Sequence, residues 1–237
     1  MANSIFLLDE TPLFPDPELA QEEPNGLLAI GGDLSVPRLT EAYRSGIFPW
    51  FCEDEPILWW SPDPRCVFFL DHVHVSKSLK RELNKQRYQV TINKAFPQVT
   101  KACSEPRADQ PDTWVLPEMQ QAYFQLHRKG LAHSIEVWEQ EELVGGMYGV
   151  SIGRFFFGES MFSRRPNTSK IALVYLAHFL RQADFLMIDA QVGNPHLYRM
   201  GAQDIKRSEF LHLLKQEINW QQPPNLWQSK SLKEWKD

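Results

Sequence analysis

The stretch FLMIDAQV, residues 185–192, is apolar except for one acid and one amide, Asp189 and Gln191. Side chains two apart on a strand point the same way, which predicts Met187, Asp189 and Gln191 on one face and Ile188 and Ala190 on the other. A carboxylate is seldom buried without a partner. The pair therefore reads either as a candidate for acid–base chemistry or as a structural acid that caps a neighbouring helix or bonds a loop. FFFGESMFS repeats the pattern, with Glu159 among aromatic residues and beside Gly158. A strand glycine permits close approach of a ligand or another chain, and the alternative for Glu159 is a solvated edge position.

Other polar clusters carry weaker chemistry. In SRRPNTSK, Arg164 and Arg165 precede a capped helix start, where free N–H groups and the dipole favour an anion; the alternative is an exposed loop with two arginines. GESMF lacks the second glycine of a GxSxG nucleophile elbow. Gly145 and Gly146 are not followed by GK[ST], so tight packing or a bulge explains them better than a phosphate loop. Cys66, His72 and His74 have no CxxC or HxxxH partner, and no metal site is expected. Between Lys77 and Lys94 the chain carries Lys77, Lys80, Arg81, Lys85, Arg87 and Lys94 against the single acid Glu82. Such a run is either a solvated face or a basic surface for a partner that is anionic over part of its contact, such as the arm of a folded RNA.

The elements that must position these residues follow from periodicity and punctuation. Pro37 at a first helical position, apolar Leu39, Ala42 and Tyr43, and the stop at Gly46 predict one short helix between tight loops in the first 65 residues. An aromatic-lined loop with Phe48, Trp50, Phe51, Trp59 and Trp60 follows it. A strand starts near Val67, Ser76 caps a basic helix running to about Gln86, YQVTI is a strand and FPQVTKACSE a helix. PEMQQAYFQLHRKG is the clearest helix, opened by Pro117 and closed by Gly130. His133–Glu139, Leu143–Ile152 and Arg154–Phe162 alternate and predict an antiparallel meander. A helix capped at Asn167-Thr168-Ser169, the strand FLMIDAQV, the helical turn NPHLYRMG, the strand AQDIK and the helix SEFLHLLKQEI complete the series. No periodicity emerges in the tail from Asn219. The order indicates an α+β fold with helices on the faces of its sheet.

With 237 residues, 43% hydrophobic and 12% aromatic, the chain can bury one large core, or a large and a small one. The longest apolar run, Ile171 to Leu180, is well short of the ~20 residues of a spanning helix, and MANSIFLLDETPLF lacks a signal-peptide pattern. A cytoplasmic protein with no membrane contact is expected. Three irregularly spaced cysteines argue against a disulfide framework. The net charge of −5 leaves room for a local basic face because charges are segregated, the first 60 residues being rich in Asp and Glu.

Taken together, PNGLLAIGGDLS, RLTEAYRSGIFPW, PILWWSPDPR, AHSIEVW, LVGGMYGV, GESMFS and the IDAQ strand, followed by Gly201 and Ala202, resemble the leucyl/phenylalanyl-tRNA–protein transferases from about Phe14 to Leu214. Two positions depart from the pattern: Ala190 replaces a common cysteine, and NPHLYRMGA is more basic and bulkier than usual. The resemblance implies a small N-terminal domain over residues 1–64 and a GNAT-like domain, the fold of a large acetyltransferase group, over 65–237. Its sheet would be mixed and largely antiparallel, flanked by helices. It further implies transfer of Leu, Phe or Met from aminoacyl-tRNA to proteins beginning with Lys or Arg, creating a degradation signal, with no cofactor and no metal. By motif position, the catalytic residues fall on Asp189, Gln191 and Glu159. Met147, Phe156, Leu173 and Ile188 would line the aminoacyl pocket. Trp50 and Trp114 would meet the terminal adenosine, and Lys77, Lys80, Arg81 and Lys85 the acceptor arm. Asp189 would polarise Gln191, which orients and helps deprotonate the amine, while Glu159 holds the cationic acceptor residue. Two rivals are an acyl-CoA-dependent N-acetyltransferase, whose [QR]xxGx[GA] turn SRRPNTSK lacks, and a non-catalytic adaptor for basic N-termini or RNA.

Overall fold

The computed structural model describes residues 5–105, 115–233 and 235. A small sheet comes first, from β1 (Phe6–Leu8), β2 (Leu27–Gly31), β3 (Phe48–Pro49) and β4 (Leu58–Trp60), in the order β1-β2-β4-β3. Helix α1 (Val36–Arg44) crosses between β2 and β3; the Ser35 hydroxyl accepts from the Arg38 N–H, and Leu39, Ala42 and Tyr43 are buried. The expectation of one helix between tight loops is corrected here. The four strands are too short for alternation to be visible in the sequence.

The second sheet has eight strands: β5 (Arg65–Phe69), β6 (Gln89–Ile92), β7 (Ala132–Glu139), β8 (Glu142–Ile152), β9 (Phe155–Ser163), β10 (Met187–Gln191), β11 (Gln203–Ile205) and β12 (Lys230–Ser231). Their order is β11-β5-β10-β9-β8-β7-β6-β12, and β9 with β10 is its parallel pair, the other neighbours running antiparallel. The helices are α2 (Lys77–Asn84), α3 (Phe96–Ser104), α4 (Pro117–Arg128), α5 (Thr168–Gln182), α6 (Pro195–Arg199) and α7 (Arg207–Glu217). Burial sorts them into layers. One core joins α3, α4 and α7 to α1 and the small sheet through residues such as Tyr43, Trp59, Phe96, Tyr123, Phe155, Met187 and Phe210. The other joins α2, α5 and α6 through Leu79, Met147, Phe156, Leu173, Ile188 and Leu197. Met187 and Ile188, adjacent on β10, fall into different cores, as strand alternation demands.

Local signals worked unevenly. The Ser76 hydroxyl accepts from the Leu79 N–H at 3.2 Å, as a cap should. At α5 the backbone of Asn167 is left-handed, with φ +69°, and its side chain makes no cap bond; the Ser163 hydroxyl accepts the Ser169 N–H instead. The tail is held by one ring stack and one short strand pair: Trp227 stacks on His133 with centroids 4.0 Å apart, and β12 pairs with β6. Among the described residues no helix is long and apolar enough to cross a membrane.

Candidate active site

The site arises where the parallel pair comes apart. β9 and β10 are in register through Asp189 opposite Phe157, and pairing stops there. Both strands then change register against their other neighbours. On β9, Gly158 faces Gly149 and Ser160 faces Tyr148, which leaves Glu159 as the extra residue. On β10, Asp189 faces Val67 and Gln191 faces Cys66, which leaves Ala190 as the extra one. Such bulges bend a strand and re-aim side chains beside active sites. Between the parted strands lies a cavity of about 580 Å³, whose wall includes Gly158 to Met161 and Ala190 to Asn194.

The bulge changes the geometry expected for FLMIDAQV. Strict alternation ends at Asp189, and Gln191 has a left-handed backbone, φ +56°, a conformation that costs a non-glycine residue on the order of 1–3 kcal/mol and persists only where its surroundings enforce it. What enforces it is the buried carboxylate: Asp189 Oδ1 accepts the Gln191 N–H at 3.0 Å. Gln191 lines the cavity with Ile188 and Ala190, whereas Asp189 is fully buried and is not among the lining residues.

Asp189 is itself gripped by Arg65. Its two oxygens accept from Arg65 Nε and Nη2 at 2.8 and 2.7 Å, a bidentate pair with both side chains buried. The remaining Arg65 nitrogen donates to the Gly46 carbonyl at 3.1 Å, and the guanidinium lies 5.0 Å from the Phe48 ring centre and 4.6 Å from that of Phe210. Cation–π contacts of this kind help hold a desolvated guanidinium. Removing one partner of a buried pair strands the other charge, at a cost of about 3–5 kcal/mol.

Glu159 sits in a different environment. Tyr43 donates to Oε1 at 2.7 Å and Tyr123 to Oε2 at 2.5 Å, and the two phenol oxygens are themselves 2.6 Å apart. Burial, and the charge of Glu159, push both phenols well above their ordinary value, so they remain donors. Two phenol protons cannot fill three contacts; a protonated carboxyl supplies the third. Burial pushes the Glu159 carboxyl up to about 7, against the opposing bonds from the tyrosines. Half-buried at the cavity wall, it switches between a neutral member of a closed ring and a carboxylate that can receive a cation.

Of the expected pocket residues, Met147, Leu173 and Ile188 line the cavity together with Phe68 and Met161, and form an apolar wall. Phe156 instead lies behind that wall. It faces Ile188 on the stretch where the strands are still paired, and its ring is packed toward Gly149 and Trp227. Trp50 lines the mouth, 45% exposed, with its ring 5.7 Å from that of Trp60. Trp114 lies outside the described residues. Lys77, Lys80, Arg81 and Lys85 are exposed on or just past α2, Lys85 bonding Glu82, and none of the four is in the cavity wall. Arg164 and Arg165, the pair expected to favour an anion, already face the carboxylates of Glu105 and Glu142. Among the described residues no group of three or more His, Cys, Asp or Glu could hold a metal ion.

Three residues of the arrangement were not singled out from sequence. Tyr43 and Tyr123 lie on the apolar stripes of α1 and α4 and look like core there. Arg65 closes the PDPR run, and the available hint was that a bidentate cation is the natural partner for a buried Asp189.

Comparison with known proteins follows the same division of the chain. Residues 67–215 match the family model described as leucyl/phenylalanyl-tRNA protein transferase, and residues 32–63 match that of its N-terminal domain. A leucyl/phenylalanyl-tRNA–protein transferase of Shewanella baltica (strain OS185) is 53% identical over 98% of both chains, and that of Shewanella pealeana is 57% identical over 90% of both. Among solved structures, L-PGS from Bacillus licheniformis matches with a TM-score of 0.38 at 13% identity, over 70% of this chain and 53% of that one, which decides nothing here. Identity of this extent, across both the small and the large sheet, is decisive: the chain belongs to the leucyl/phenylalanyl-tRNA–protein transferase family.

Proposed function

We propose that this enzyme moves Leu, Phe or Met from aminoacyl-tRNA onto the N-terminus of cytoplasmic proteins that begin with Lys or Arg, and that the chemistry takes place at the parted strands. One observation carries the reading: an apolar wall, a braced amide and a carboxyl meet in a single cavity. Met147, Leu173 and Ile188 take the aminoacyl side chain, with Phe156 backing them. Trp50, and Trp114 with it, stack the terminal adenine, worth ~1–3 kcal/mol per base. The exposed cations of α2 follow the acceptor arm.

The aminoacyl ester is already activated, so no ATP and no cofactor enter. The acceptor's α-amino group loses a proton and its nitrogen attacks the ester carbonyl; the C–N bond forms, the bond to the ribose 3′-oxygen breaks, and that oxygen leaves with a proton. Glu159, ionised, holds the cationic side chain of the acceptor. Gln191 orients the amine. Asp189 acts through Gln191 rather than on substrate: its charge is offset by Arg65, and its oxygen fixes the Gln191 backbone. It is a positioning residue, and positioning supplies much of the rate. In this reading residues 1–64 and 65–237 are the two domains, and the larger is GNAT-like, its parting parallel strands forming the reaction slot.

The test is transfer of labelled leucine from Leu-tRNA to a protein beginning with Arg, with ribonuclease as control. Wild type labels the acceptor and ribonuclease abolishes labelling. Asp189→Ala strands Arg65 and loses fold stability along with activity, so Asp189→Asn, which keeps an oxygen for the Gln191 N–H, is assayed beside it. Asp189→Asn retains more transfer than Gln191→Ala. Normal rates in both Asp189→Ala and Gln191→Ala would remove the proposed centre, and a wild type that never labels would remove the function.

A further inference from the structure

On the face of the sheet opposite the Asp189 brace, two cations and a histidine gather without ion-pair partners among the described residues. Leu173 is in the cavity wall, and Lys170 lies three residues before it on α5, on the same helix face and half-buried. His196, in the first turn of α6, is also in the wall, and Arg199 follows three residues later on that helix. His196 is within reach of both charges: burial first, then the charges of Lys170 and Arg199, hold its imidazole below its ordinary value. Among the described residues Lys170 bonds the Asn167 side chain at 3.0 Å, and neither Lys170 nor Arg199 is ion-paired. The arginines just before α5 and in its last turn are different, since Arg164, Arg165 and Arg181 each face a carboxylate.

The group is also held in place. Asn194 Oδ1 accepts the N–H groups of His196 and Leu197 at 2.9 and 3.0 Å. The Tyr198 ring lies over Gly193, its hydroxyl 1.9 Å from where a Cβ would stand, and that hydroxyl donates to Asp204 at 2.9 Å. Like charges crowded at a partly desolvated wall disfavour one another, and an anion between them reverses the sign of the interaction.

We propose that Lys170, His196 and Arg199 form a phosphate-binding rim that takes the phosphodiester next to the terminal adenosine of aminoacyl-tRNA. The inference rests on the aminoacyl-tRNA reading above. If the aminoacyl chain fills the apolar wall and the adenine meets Trp50, the first phosphate is one sugar away and must lie at the cavity mouth. A basic acceptor terminus has the wrong sign for this rim and the right sign for Glu159, so each substrate is sent to its own side.

The experiment compares two leucyl donors, Leu-tRNA and 3′-O-leucyl-adenosine, which has no phosphate, in wild type and in Lys170→Gln/Arg199→Gln. With Leu-tRNA the double variant raises KM roughly 5- to 10-fold with kcat kept, and the log–log salt dependence of its donor KM flattens by about 1. With leucyl-adenosine its constants match wild type. An unchanged KM and salt slope for Leu-tRNA would overturn the proposal, as would an equal loss with leucyl-adenosine or a shift in acceptor KM alone, which would assign the rim to the acceptor protein. Absence of transfer by wild type from either donor would instead sink the underlying reading.

Discussion

Glu136 and Glu159 stand on β7 and β9, the two neighbours of β8, and burial raises the proton affinity of both. They share little else. Glu136 is fully buried and accepts from the hydroxyls of Thr91 and Ser134 and from the N–H groups of Lys94 and Ala95. Its four donors come from β6, β7 and the entry to α3, which uses up its acceptor capacity. Glu159 has two phenols and a cavity. Depth and a perturbed proton affinity therefore do not mark a carboxyl open to a ligand. What marks it is acceptor capacity left over and aimed at space where a ligand fits.

The largest test of this contrast is Glu159→Gln. It is expected to raise KM for an Arg-starting acceptor roughly 10- to 100-fold, the worth of one hydrogen-bonded charge, with KM for Leu-tRNA unchanged; an acceptor KM that stays at the wild-type value would erase the distinction. Glu136→Gln should do the reverse. An amide cannot accept from four donors, so urea unfolding should show a loss of about 1–3 kcal/mol with both KM values intact.

The smallest effect is the pH dependence. Acceptor KM should fall as pH rises through about 7, where Glu159 ionises, and this step should vanish in Glu159→Gln. For stability the sign is opposite to that of a salt-bridged acid. A carboxyl whose folded value is raised from 4.5 to about 7 binds its proton more tightly in the native state. Native stability should therefore decline as pH rises across that window. Either glutamine variant should make the decline shallower, as followed by thermal unfolding at fixed ionic strength.

Much of the fold was legible because its long elements obey their periods: the meander from β7 to β9, the helices α4 and α5, and β10 all follow from spacing and punctuation. The short strands of the first sheet were not, since two to five residues show no alternation, and neither was the Trp227 anchor of the tail. Glu159 and Gln191 stood out as polar residues in apolar strands, and the structure brings both to the cavity. Their aim was not readable. A bulge is a property of the pair of strands rather than of either sequence, and the period-2 rule assumes that it is absent. Nor could the sequence reveal that Asp189 faces a guanidinium more than a hundred residues away, or that two stripe tyrosines turn their hydroxyls to one carboxyl.

The hold on Arg65 has a consequence for modularity. Its carbonyl acceptor, Gly46, and one of its two ring faces, Phe48, come from the first sixty residues, as do Tyr43 on Glu159 and Trp50 at the mouth. The large sheet supplies Gln191, Asp189 and Glu159, yet the N-terminal segment furnishes much of the scaffold that keeps them aimed. Cut away, it would leave the cavity with its residues present and their alignment gone, so the two segments hold this geometry only as one unit.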